Sequence, residues 1–525
     1  MQRLFTENGK ETPEQVRAQV TGGVPSWLQG TLLRNGPGVF SVGDSRYNHW
    51  FDGMALMHSF TFKDGEVFYR SKFLKSQTYK RNVQADRIVV SEFGTMVYPD
   101  PCKNIFSRAL THLCNIVPDF TDNNLINIVR YGQDYFASSE VNYMNQIDPL
   151  TLETMGRVNY RKHIALNLAT AHPHYDQDGS TYNMGTAIIG LGTPKYVIFK
   201  VPADASGSSA QKTPALEKVQ QVGSLPFRST LFPSYFHSFG MTENFIVFVE
   251  QPFKLDLVKL ATAYFRGMNW GNCLKFDKDD STWFHLINRR TGKRLSTQFY
   301  GAALVVFHHI NAYEDDGHVL FDLIAYKDSS LYDMFYINNL RQNSSSFLES
   351  NASSSPPICQ RFILPLNVNK DTPKGVNLVT LANTTAKAIM KDDGAIYCEP
   401  EVLFEGLELP NINYKFNAKK YRYFYGSRVD WSPQPNKIIK FDTLTRTHVE
   451  WQLDKCYPSE PVFVASPGAV EEDDGVILSS VISLDSNISP FMLVLNAKTF
   501  QELARAAIPA SVHLDLHGIY IPSSN

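Results

Sequence analysis

The chain lacks most of the features that give an early functional clue. It has no excess of either charge: 50 basic against 52 acidic residues leave a formal charge of -2 over 525 residues. No global field therefore draws it to nucleic acid or another polyanion. It has no CxxC pair, and its six cysteines (Cys102, Cys114, Cys273, Cys359, Cys398, Cys456) are scattered, which predicts free thiols in a reducing compartment. No apolar run reaches the roughly 18 residues of a membrane span. The N-terminal MQRLFTENGKETPEQVRAQV has neither the apolar stretch of a secretory signal nor the Arg- and Ser-rich, acid-poor pattern of a mitochondrial presequence. The expected location is the cytosol, where the sequons at Asn343, Asn351 and Asn383 would carry no glycan. There is no GxGxxG followed by a ribose-binding acid and no P-loop, so no nucleotide cofactor is expected.

What is present is apolar and aromatic: 43% hydrophobic and 13% aromatic residues. Short β-rich runs recur, among them Leu56–Phe60, Asn244–Val249, Val319–Tyr326 and Gly475–Ile482. Asp-Gly pairs that signal hairpins sit at 52-53, 64-65, 178-179, 316-317, 393-394 and 474-475. Many short strands without alternating long helices predict an antiparallel all-β fold, a sandwich series or a propeller. Two segments read as helices, Asn104–Val117 and Leu255–Asn269. Each is either a core helix or an interfacial helix with an apolar face on a membrane and basic side chains beside it. The Ser-rich pieces Ala203–Pro214 and Gln342–Pro357 read as exposed loops.

Fourteen histidines mostly call for no function, and His112, His285, His318 and His448, among polar neighbours, are expected to be solvated. His172, His237, His308 and His517 differ, because each lies in or beside an apolar strand-like run. They are 65, 71 and 209 residues apart, and 209 is close to three times 70. If a propeller blade takes about 70 residues, the four come from equivalent positions of different blades and converge on the axis. Four neutral imidazoles suit iron, copper, zinc or nickel. A four-ligand zinc site would be closed and structural, whereas six-coordinate iron would keep two positions open. In Val305-Val306-Phe307-His308-His309 strand alternation puts only one of the adjacent histidines on the axis. His308 is expected there with Val306, and His309 in the opposite layer with Phe307.

At these residues the chain resembles the carotenoid cleavage oxygenases, over essentially its whole length. The resemblance rests on Arg34-Asn35-Gly36-Pro37-Gly38, Tyr47-Asn48-His49-Trp50-Phe51-Asp52-Gly53, Thr170-Ala171-His172-Pro173, Phe307-His308-x-x-Asn311, Tyr457-Pro458-Ser459-Glu460-Pro461, Glu471-Glu472-Asp473-Asp474-Gly475 and His517-Gly518. Pro99-Asp100-Pro101-Cys102-Lys103 is similar to the animal branch, and segments 117–128, 250–270 and 513–521 to its central-cleavage members. The resemblance implies a seven-bladed β-propeller, one domain over 1–525, with a few helices capping one face over a substrate tunnel. It also implies Fe(2+) held by His172, His237, His308 and His517. Glu140, Glu408 and Glu460 would accept the outer N–H of His237, His308 and His517, offsetting metal charge and fixing the rings. The implied reaction is cleavage of the central 15,15' double bond of beta-carotene by O2 to two retinal molecules. Tyr235, Tyr326 and Tyr457 would line the tunnel, Tyr457 where such relatives are expected to carry tryptophan. Eccentric 9',10' cleavage, retinyl ester isomerohydrolysis and a silent carotenoid-binding propeller are the alternatives. Substrate this insoluble implies peripheral contact with a membrane or a lipid carrier.

Overall fold

The computed structural model describes residues 7–97, 121–188, 193–203, 214–263, 266–428 and 437–523. Seven sheets of four or more strands follow one another along the chain. Blade 2 spans Asn127–Tyr131 to Thr154–Asn159, blade 3 Leu168–Ala169 to Gln220–Pro226, and blade 4 Gly240–Met241 to Phe299–Gly301. Blade 5 runs from Val305–Asp315 to Glu401–Glu405 and blade 6 from Leu407–Ile412 to Thr447–Trp451. Both chain ends close the ring. The C-terminal strand His517–Pro522 pairs with Gly30–Val39 in blade 1, and the second strand of the chain, Gln19–Gly22, pairs with Glu502–Ala507 in blade 7. The fold is a seven-bladed β-propeller, as the strand pattern and the resemblance together predicted.

Local chemistry accounts for the strands. At Asp64-Gly65 and Asp316-Gly317 both residues have positive φ (52° and 80°, 43° and 73°), the tight hairpin that Asp-Gly favours. They join Met54–Lys63 to Glu66–Phe73 and Val305–Asp315 to His318–Tyr326. Asp52-Gly53 instead ends a 3-10 turn, Trp50–Asp52, closed by a reciprocal cap between His49 and Asp52. Gly475 begins a strand. Between blades 4 and 5 the buried rings of Phe284, Phe321 and Phe362 pack, the last two stacked at 5.4 Å. Starting strands of neighbouring blades touch around the axis, 240–241 against 305–315 and 305–315 against 407–412.

Four sequence expectations change. The described residues of segment 255–269 include the end of a strand and then a short helix, Leu257–Thr262, capped by the Asp256 carboxylate on Lys259 N–H. The expected loop 342–357 contains the helix Ser344–Ser350, which Asn343 caps at its N-terminus. His318 is buried, its Nδ1 2.8 Å from the Asp316 carbonyl, and half-buried His285 pairs with Glu250 at 2.8 Å. The other expected helix, 104–117, the Pro-Asp-Pro-Cys-Lys motif and nearly all of the loop 203–214 lie outside the described residues.

Candidate metal centre

Each blade sends one residue to the axis. His517 comes from blade 1, Glu140 from the turn between the second and third strands of blade 2, and His172 from blade 3. His237 precedes the first strand of blade 4, His308 lies on that of blade 5 and Glu408 on that of blade 6, and Glu460 sits in blade 7. The spacing of about 70 residues is thus one blade, and 209 is three.

One nitrogen from each of the four histidines lies within 4.8 Å of the others, and the His172 ring meets its three partners tilted or edge-on at ring separations of 4.6–5.1 Å. The outer nitrogens are fixed. His237 Nδ1 is 2.5 Å from Glu140, His308 Nδ1 2.7 Å from Glu408, and His517 Nδ1 2.8 Å from Glu460. An Nδ1–H donated to a carboxylate leaves a lone pair on Nε2. Three such lone pairs therefore point inward. His308 Nε2 is buried without a hydrogen-bond partner, and His237 Nε2 sits 2.9 Å from His172 Nε2. Three inward lone pairs and a fourth imidazole nitrogen within 4.8 Å of them form a donor set that fits a metal ion. Among the described residues no carboxylate bonds His172. Burial and the facing imidazoles push its pKa well below the ordinary value.

The three glutamates are anchored differently on their far sides. Tyr326 donates to Glu408 at 2.6 Å, and Tyr235 lies 2.9 and 3.0 Å from the two oxygens of Glu140. Glu460 accepts from Arg34 Nη1 at 2.5 Å, and Arg34 also grips Asp515 through Nε and Nη2 at 2.9 and 2.6 Å. Burial alone would raise the Glu408 and Glu460 carboxyls. The facing histidine on each, and Arg34 on Glu460, more than reverse this and hold both below the ordinary range. The sequence motif around Arg34 was visible, but its contacts with Glu460 and Asp515 were not. Gly518 has a role of its own, because a Cβ there would fall 1.8 Å from the Leu33 carbonyl. Only glycine lets the strand bearing His517 approach so closely.

The adjacent histidines take their expected places, but their neighbours do not. Val306 pairs with Ala325 and His309 with Leu323, a β-bulge of one extra residue. Phe307 and His308 therefore both face the cavity, while Val306 belongs to the blade 4–5 core. His309 turns away, 3.0 Å from Ser238 Oγ, and burial lowers its pKa to about 3.

A mostly apolar cavity opens beside the cluster, lined by Phe51, Phe93, Leu260, Phe307, Tyr332 and Phe335 among others. Tyr235, Tyr326 and Tyr457 all line it. Leu260, Leu331 and Phe335 bring the short helices at 257–262 and 330–334 and the residue after the latter over it.

The family model for retinal pigment epithelial membrane protein matches residues 5–522. The chain belongs to this family, the carotenoid oxygenases, which is metal-dependent. It is 56% identical over 525 residues to mouse (Mus musculus) beta,beta-carotene 15,15'-dioxygenase, covering 100% of this chain and 92% of that one. It is 44% identical to the mitochondrial carotenoid-cleaving dioxygenase of Mustela putorius furo, covering 98% and 95%. A solved Synechocystis apocarotenoid oxygenase superposes with a TM-score of 0.76 at 21% identity, covering 99% and 98%.

Proposed function

We propose that this chain is a non-haem iron(II) dioxygenase that cleaves the central 15,15' double bond of beta-carotene with O2 to two all-trans-retinal, residues 1–525 acting as one domain. The observation that carries the reading is a four-imidazole donor set opening onto an apolar cavity, in a chain that is 56% identical to a 15,15'-dioxygenase and 44% identical to a carotenoid-cleaving one.

His172, His237, His308 and His517 are the iron ligands in this reading, and iron supplies the activation of O2. All four ligands are neutral, so Glu140, Glu408 and Glu460 offset the ion's charge while holding three rings in one tautomer. The hydroxyls of Tyr235 and Tyr326 are committed to Glu140 and Glu408, which fixes those two rings in the cavity wall. Aromatic walls exclude water and favour positive charge developing on a polyene. One O2 added across one C=C gives two C=O groups, so the atoms balance without an external reductant. Tyr457 lines the same cavity and bears on substrate fit beside Glu460.

The exposed Leu231, Phe232 and Val258, 52%, 42% and 47% accessible, support membrane or lipid-carrier contact in this reading. The Leu257 N–H bonds the Leu231 carbonyl and brings the two segments together. Among the described residues no helix is long and apolar enough to cross a membrane. Peripheral contact from the cytosol is part of the proposal. Replacing the three residues by serine should reduce pelleting with vesicles; undiminished pelleting counts against this patch.

Chromatography after incubation with beta-carotene tests the activity. The expected product is C20 aldehyde alone, lost with an iron chelator and in His308→Ala, which loses bound iron, while His309→Ala retains it. Apo-10'-carotenal, or chelator-insensitive turnover, overturns the reading.

A further inference from the structure

One leucine beside the metal centre is held in a conformation that leucine disfavours. Leu409 has a φ of 53°. The other non-glycine residues with positive φ among the described residues lie in turns or loops, whereas Leu409 lies inside a strand, Leu407–Ile412. An L-residue with a Cβ is strained at such a φ, and the following Pro410 favours an extended backbone before it instead.

The strain has a local cause. Glu408 pairs with Ser427 and Asn411 with Tyr425, so three steps along one strand oppose two on its neighbour. Leu409 and Pro410 thus form a bulge with one extra residue, and a bulge that needs positive φ ordinarily takes glycine there. The Leu409 N–H donates to Glu408 Oε2 at 2.9 Å, the oxygen that also faces His308 Nδ1 at 2.7 Å. This backbone hydrogen bond fixes the peptide before Leu409, and a glycine would make it equally well. The sign of φ then directs the leucine side chain and the chain beyond it.

Packing within the blades gives no reason for the leucine. It is half-buried, and it belongs to none of the buried apolar clusters among the described residues. It lines the cavity instead, next in sequence to the carboxylate behind a ligand ring. The strained backbone therefore keeps an aliphatic group at the edge of the metal centre, where an occupant of the cavity can use it. A polyene hydrocarbon offers such a group no polar handle. Its methyl branches are what an apolar wall can read, and in beta-carotene the central double bond lies in the longest stretch of the chain between two of them.

We propose that the Leu409 side chain abuts this methyl-free stretch and sets which double bond of the polyene lies at the metal centre. This rests on the carotenoid-cleaving reading above. The test uses the full-length iron-loaded protein and beta-carotene. Leu409→Gly should unfold in denaturant at a midpoint no lower than the wild type and hold iron against the same chelator concentration. Its kcat/KM should nonetheless fall about tenfold, the loss of one apolar side-chain contact, and apo-carotenals from neighbouring bonds should join the C20 aldehyde. Leu409→Ala should give the same products with a lower midpoint than Leu409→Gly, because it keeps a Cβ at the strained φ. Leu409→Met, of similar volume, should restore C20 aldehyde as the one product. C20 aldehyde alone at undiminished kcat/KM in Leu409→Gly overturns the assignment. A loss of iron that parallels the loss of activity also overturns it, since Leu409 would then act only through Glu408. Binding without O2 separates the contact from the chemistry: the Kd of beta-carotene, followed by tryptophan quenching, should rise about tenfold in Leu409→Gly. An unchanged Kd overturns the assignment whether or not the wild type turns over. A raised Kd with a wild type that gives no C20 aldehyde defeats the cleavage reading and leaves the contact at Leu409 standing.

Discussion

The His308–Glu408 and His517–Glu460 pairs are near copies at their inner ends, 2.7 and 2.8 Å, and different at their outer ends. Glu408 is held by the neutral hydroxyl of Tyr326, Glu460 by the Arg34 guanidinium. Tyr326 lines the cavity, where an ionic group would have to be desolvated against hydrocarbon. Arg34, 0% exposed, lies in the sealed joint between blades 1 and 7, where Asp515 and the Leu516 carbonyl complete its hydrogen bonds. The same task of fixing a carboxylate behind a ligand ring is done by a charge where the protein is closed on itself. Where substrate must lie, a dipole does it.

The largest effect expected from that contrast is at Arg34. Arg34→Met leaves Glu460 and Asp515 as buried carboxylates without a counter-charge, which should cost about 3–5 kcal/mol in denaturant unfolding of the metal-free protein. The deficit should depend on pH. Glu460 is held below its ordinary value of 4.5, so the stability it contributes is present above that pH and is lost as pH falls through the lower folded value. The gap between wild type and variant should therefore narrow in acid, and a gap independent of pH would mean that Arg34 acts through packing. Next comes Tyr326→Phe, which removes one donor from a buried carboxylate but adds no unpaired charge. About 1–2 kcal/mol of stability and roughly tenfold in iron affinity, measured by competition with a chelator, should be lost. Equal costs at Arg34 and Tyr326 would break the comparison.

Sequence alone carried the blade architecture further than it carried the site. Intervals of 65, 71 and 209 residues hold because every blade repeats the same meander, and the histidines keep equivalent places in it. The glutamates had no such signal: each reaches its histidine from another blade, and only the family resemblance marked them. Arg34 stands 481 residues from Asp515, a pairing that exists only because the C-terminal strand closes the ring. Strand parity placed His308 and His309 correctly but misassigned Val306 and Phe307, because alternation assumes an unbroken ladder and a bulge resets it. The Ser-rich stretch at 342–357 misled in another way, since Asn and Ser favour helix N-caps as well as loops.

The third pair sharpens the comparison because it differs in solvent access. Tyr235 spans both oxygens of Glu140 and also lies 3.3 Å from His237 Nδ1, so by contact number it is tied to its glutamate more closely than Tyr326 is. If contacts set the cost, Tyr235→Phe should be the worse of the two tyrosine variants. The Glu140 side chain, however, is 25% exposed, against 8% for Glu408 and 9% for Glu460. Water can replace a lost hydroxyl there, and the pair reaches across blade 3 rather than lying sealed between neighbours. The expected loss is below about 1 kcal/mol, with iron retained at chelator concentrations that strip Tyr326→Phe. An iron affinity lower in Tyr235→Phe than in Tyr326→Phe would show that the number of contacts, and not solvent access, ranks the three supports.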